Sequence, residues 1–292
     1  MNFEILRNME SFTKDMFNRI IAFQEKEHAA WNNSLPFDER ITGLPLHYLI
    51  FSNADRDPAT HGPTVAHYYP LRQEMQSIAR YAKAASGNDN PVIVDAHGRN
   101  GFIGSLVARE AECDVLGLTD ADEKPNQIEK FASENYHPKV QSLADYHGPV
   151  DLLLSSWMPS NTDISDDVKR LHPTIVIYIF SEHTNPETGE WQTGKENAFG
   201  EQLGDDYHLI DDWQVIRQEN LLHEVWPDLT GNIAETRFVR VYAKTGSGIT
   251  QQELEDTDPS YDWEDELIMT ETALAAKQEM MRRGFPPENM IT

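Results

Sequence analysis

Residues 91–109, PVIVDAHGRNGFIGSLVAR, constrain the fold of this chain more than any other stretch. Val92, Ile93 and Val94 form an apolar β-branched run that ends in an acid, Asp95. A turn containing Gly98 and Gly101 follows, and then Ile103, Leu106 and Val107 recur as they would on one side of a helix. Strand, glycine turn and helix in that order place a helix N-terminus at the end of a strand, a layout suited to a nucleotide-like ligand. In an open α/β sheet, ligands bind beyond the carboxyl ends of the strands.

The rest of the chain continues the alternation. Apolar runs at 92–95, 114–119, 150–155 and 174–180, with a weaker one at 139–143, are the strand candidates. Helical patterns lie between them near 101–111, 124–134 and 163–171. Near-continuous apolar strands separated by helices predict a parallel sheet buried on both faces. Two last strands, 207–216 and 235–244, have no helix of useful length between them and predict an antiparallel pair. Upstream, Leu71, Met75, Ile78 and Tyr81 predict a helix over 69–85, with Pro70 in its first turn.

The flanks read differently. Residues 1–31 carry an amphipathic stripe (Ile5, Met9, Phe12, Met16, Ile20), a packing face for the main domain or for a second copy of the chain. Residues 35–66 are rich in Pro, Gly, Asp and His and read as an irregular segment. Beyond 247 lies an acidic tail with one more helical pattern at its centre. The predicted organisation is thus an N-terminal helix and irregular segment (1–66), an α/β domain (67–246) and an acidic helical tail (247–292).

A formal net charge of −25 over 292 residues disfavours nucleic acid and anionic membrane surfaces, which need clustered Lys and Arg. No Cys/His spacing suggests a metal site, and the one cysteine, Cys113, reads as a buried thiol at a strand start. The charged N-terminus lacks a leader pattern, and no uncharged apolar run approaches about 20 residues. A cytoplasmic protein without a membrane span is the expectation.

On these residues, 92–244 resembles the class I S-adenosylmethionine-dependent methyltransferases, a Rossmann-like doubly wound sheet that closes with an antiparallel strand. In that superfamily the first strand ends in an acid, followed by acid-x-Gly-x-Gly-x-Gly. Here the stretch is Asp95-Ala96-His97-Gly98-Arg99-Asn100-Gly101: the last glycine matches, while His97 and Arg99 stand where glycines are usual. The resemblance implies S-adenosylmethionine as cofactor, held by Asp95, His97, Gly98, Asn100 and Gly101. Asp120, about 25 residues on at the end of the second strand, is placed to accept both ribose hydroxyls. Asp145 falls where an acid often meets the adenine amino group. The fourth strand ends in Ser155, Ser156 and Trp157, at the edge that lies beside the transferred methyl. Ser155 is counted with the cofactor, Ser156 and Trp157 with catalysis, and Trp157 offers an aromatic face to the sulfonium. Glu182 and His183, ending the fifth strand, are the candidate general bases, and the loop 184–204 is a candidate lid.

The acceptor implied is a small molecule or a protein. Two other classes compete. A binding or scaffold protein that kept the fold without activity draws on His97 and Arg99 in the glycine turn. A nicotinamide-dependent oxidoreductase would need Gly-x-Gly-x-x-Gly at positions 99, 101 and 104, and position 99 is arginine.

Overall fold

The computed structural model describes residues 32, 34–41, 68, 70, 72–87, 90–121, 131–184, 188–216, 236–252 and 284. The expected N-terminal helix, nearly all of the acidic tail and most of the helix expected at 124–134 lie outside these residues.

The described strands form a seven-stranded sheet in the order β3-β2-β1-β4-β5-β7-β6. They are β1 Ile93–Asp95, β2 Val115–Thr119, β3 Tyr136–Val140, β4 Leu152–Ser156, β5 Ile175–Ser181, β6 Tyr207–Ile216 and β7 Thr236–Lys244. The first five strands run parallel, and β7 pairs antiparallel with both β5 and β6. Chain order runs outward in one direction from β1 to β3 and in the other from β1 to β4, so the switch point lies between β1 and β4. Such a crevice is where open α/β sheets bind ligands. The sheet is a Rossmann-like doubly wound one, mostly parallel, with the expected reversed strand in place.

Alternation along the strands divides the core in two. On one face, Ile93, Leu152, Leu154, Ile175, Ile177, Val239 and Val241 meet two helices, α2 (Arg72–Ser86) and α3 (Phe102–Ala111). The expected face of α2 is the buried one: Met75, Ile78 and Tyr81 are all enclosed. On the other face, Val94, Leu153, Val176, Tyr178 and Phe180 pack against α4 (Ser165–Leu171) and the segment around Phe199 and Leu203.

Three expectations shift. The third strand lies at Tyr136–Val140 rather than 139–143, and residues 131–133 are not helical. It is an edge strand whose last four residues are exposed, so it carries no apolar pattern, and Pro138 is tolerable there. Within α3 the buried set is Phe102, Gly104, Ser105, Val107, Ala108 and Ala111, while Ile103 and Leu106 are only partly covered. Within the irregular 35–66 segment, a short helix, α1 (Phe37–Ile41), seats Phe37 against the rings of Phe102 and Phe131.

Candidate functional site

The loop between β1 and α3 lines the switch point, and its backbone is tightly specified. Gly101 precedes α3 with φ at +87°, a conformation that favours glycine. Arg99 stands at a glycine position of the superfamily pattern and is itself left-handed, with φ at +45°. A side chain in that region costs about 1–2 kcal/mol. Across the crevice, Trp157 at the end of β4 is also left-handed, with φ at +56°, and Arg99 Nη2 donates to its carbonyl at 3.1 Å. Two strained non-glycine residues thus face each other over the switch point, and strain of this kind tends to gather at functional sites.

The loop N–H groups are committed inside the protein. His97 N donates to Asp95 Oδ1 at 3.3 Å, Gly98 N to the Leu118 carbonyl at 2.7 Å, and Gly101 N to the Gly98 carbonyl at 2.7 Å. The Asn100 side chain caps the helix, accepting from Phe102 N at 3.2 Å. The N–H groups of His97, Gly98, Gly101 and Phe102 are therefore already taken within the protein.

Asp95 is buried, with Oδ2 accepting from the Tyr136 hydroxyl at 3.2 Å. Its carboxylate braces the loop. His97 is half-buried, but its Nε2 is enclosed and has no hydrogen-bond partner among the described residues. Burial, reinforced by the charge of Arg99, lowers its pKa to about 3, so the imidazole is neutral at pH 7. Asp120 immediately follows β2 and is exposed.

At the end of β4, Ser156 and Trp157 both meet Tyr68, which precedes α2. The Tyr68 hydroxyl is hydrogen-bonded to Ser156 Oγ at 2.8 Å, and its ring lies 5.2 Å from that of Trp157. Arg237 of β7 covers Tyr68, with its guanidinium 4.7 Å from the ring centre, and pairs with Glu74 of α2. Burial drives the Tyr68 pKa far up, so it stays a neutral phenol.

The remaining expected residues are dispersed. Ser155 is buried on the other face, in register with Tyr178 and, among the described residues, without a partner for its hydroxyl. Glu182 also belongs to that side, half-exposed and 3.5 Å from Arg240, whose guanidinium lies over Phe180. The sheet separates Glu182 from Ser156 and Trp157. His183 N donates to Ser181 Oγ at 3.1 Å, and its carbonyl accepts from Gln192 N. Asp145 is exposed and closes its own turn, accepting from Ser142 Oγ at 2.8 Å. The 184–204 loop is anchored rather than free among its described residues: Thr193 donates to the Ser181 carbonyl, and Phe199 stacks on Phe180 at 3.8 Å. Cys113 is buried, and burial raises its thiol pKa, as an inert cysteine requires.

The sequence reading missed Tyr136, Glu74 and Arg237. Signals existed for two of them. Arg237 shares strand parity with core-facing Val239 and Val241, and Glu74 stands one turn before Ile78 on the buried face of α2.

No family model matches the chain, and no curated protein matches it. Among solved structures it is similar to a geranyl diphosphate methyltransferase in complex with geranyl diphosphate and sinefungin, at 10% identity and a TM-score of 0.43, over 59% of this chain and 77% of that one. It is also similar to the magnesium protoporphyrin IX methyltransferase of Synechocystis with bound S-adenosylmethionine, at 14% identity and 0.41, over 60% and 79%. A third is a putative S-adenosylmethionine-dependent methyltransferase from Listeria monocytogenes, at 11% identity and 0.39, over 58% and 98%. The fold class rests on this chain's own strand order rather than on likenesses of this size.

Proposed function

We propose that this protein is an S-adenosylmethionine-dependent methyltransferase acting on a small molecule or a protein. The observation that carries the reading is the β1/β4 switch point of a β3-β2-β1-β4-β5-β7-β6 sheet, with an acid ending β1 and another directly after β2. The residues suit the donor. Asp120 offers two carboxylate oxygens to two vicinal ribose hydroxyls, and the enclosed, neutral His97 Nε2 offers a hydrogen-bonding atom at the loop. A dinucleotide's pyrophosphate would need the helix N-terminus, where the Phe102 N–H is already taken by Asn100 Oδ1.

When bound, S-adenosylmethionine supplies a methyl group on a positively charged sulfur. The chain's part is positioning: Asp95 fixes the loop, Asp120 holds the ribose, and Ser156 with Trp157 borders the acceptor side. Tyr68, seated on both, excludes water there. Glu182 has no role in this reading, because Arg240 holds it on the other side of the sheet.

Thermal melting distinguishes the readings. On this reading S-adenosylhomocysteine should raise the Tm and NAD should not. A rise with NAD alone would transfer the site to a dehydrogenase, and a rise with neither would favour the scaffold.

A further inference from the structure

Four glycines from three segments surround one aromatic ring. A Cβ at Gly101 would stand 2.8 Å from the Tyr136 ring, and one at Gly98, Gly104 or Gly117 would come closer still to that ring or its hydroxyl. Gly98 and Gly101 belong to the switch-point loop, Gly104 to the first turn of α3, and Gly117 to β2. Only Gly101 among them requires a positive φ; the others are small because Tyr136 occupies the space beneath the loop. The ring is buried. Its hydroxyl hydrogen is shared between Asp95 Oδ2 at 3.2 Å and the Gly98 carbonyl at 3.1 Å. Both acceptors belong to the hydrogen-bonded loop: Asp95 Oδ1 receives His97 N, and the Gly98 carbonyl receives Gly101 N.

We infer that Tyr136 is a positioning residue for the candidate site: its ring supports the loop 97–101 from below, and its hydroxyl sets the loop shape on which ligand affinity depends. This rests on the methyl-donor reading above. The glycine turn then has a second purpose beside ligand approach, since it makes room for a tyrosine that carries the acid ending β1. His97 and Arg99 are tolerated because the glycines that matter for this packing lie at 98, 101, 104 and 117.

Tyr136→Phe keeps the ring and removes the hydroxyl. Its S-adenosylhomocysteine Kd, measured well below the Tm, should rise about five- to tenfold, the weight of one ordinary hydrogen bond. Amide exchange at Gly98 and Gly101 should accelerate while that of α2 is unchanged. Tyr178→Phe is the control: it is also buried, its hydroxyl has no partner among the described residues, and it lies on the other face of the sheet. It should leave both readouts unchanged. A Tyr136→Phe protein with lower Tm but wild-type Kd and loop exchange overturns the inference, because it makes Tyr136 a core residue only. If wild-type protein binds no S-adenosylhomocysteine, the proposed function fails; the brace is then judged by exchange alone, and unchanged rates at Gly98 and Gly101 overturn it.

Discussion

Arg99 and Gly101 bend the chain through the same left-handed region by different means. Glycine enters it freely, whereas Arg99 is held there by a hydrogen bond to the strained Trp157 on the facing strand. A loop fastened across the switch point in this way keeps the shape of a glycine-rich turn with fewer glycines. His97, next to it, has a measurable signature. Its pKa falls from 6.5 to about 3 on folding, so below pH 6.5 the unfolded chain takes up a proton that the native state refuses. The native state then loses up to about 1.4 kcal/mol per pH unit from this group as pH falls from 6.5 toward 3. His97→Gln should therefore flatten the acid limb of the stability–pH curve, followed by urea unfolding between pH 7 and 4. An unchanged slope would mean that His97 is solvated. The site residues were legible only in part, because adjacency to the end of β5 was taken to place Glu182 near Ser156, whereas parity puts Glu182 on the face of Phe180 and Ser156 on the opposite face, that of Leu154.

At the scale of elements, β2, β1, α3 and β3 act as one unit around Tyr136. Gly117→Ala should destabilise by about 1–3 kcal/mol, as an overpacked core does. In a Tyr136→Ala background the same substitution should do less harm, since the hydroxyl and the two ring carbons that a Cβ would meet all belong to Tyr136. A double-mutant cycle by chemical denaturation measures that coupling, and additive effects would contradict the packing described. The strands buried on both faces were legible to within one or two residues, because continuous apolar runs announce them. β3 was misplaced because four of its five residues are exposed and a proline interrupts it. Tyr136 gave no signal of its own: the four glycines that reveal it are spread over 20 positions and meet only in space.

Over the whole molecule, the charge of −25 sets a field that repels anions. A nucleoside ligand that carries no phosphate and binds through hydroxyls suits such a surface; a pyrophosphate does not. The fold agrees at this scale with the sequence, down to the reversed strand β7. Among the described residues no helix is long and apolar enough to cross a membrane. The most direct measurement is a calorimetric titration of the protein with S-adenosylhomocysteine, repeated on Asp120→Ala. The account predicts one-to-one binding in the micromolar range, weakened about tenfold or more by Asp120→Ala with no loss of Tm, since that carboxylate is exposed. No heat at millimolar ligand, or equal affinity in both proteins, would contradict it.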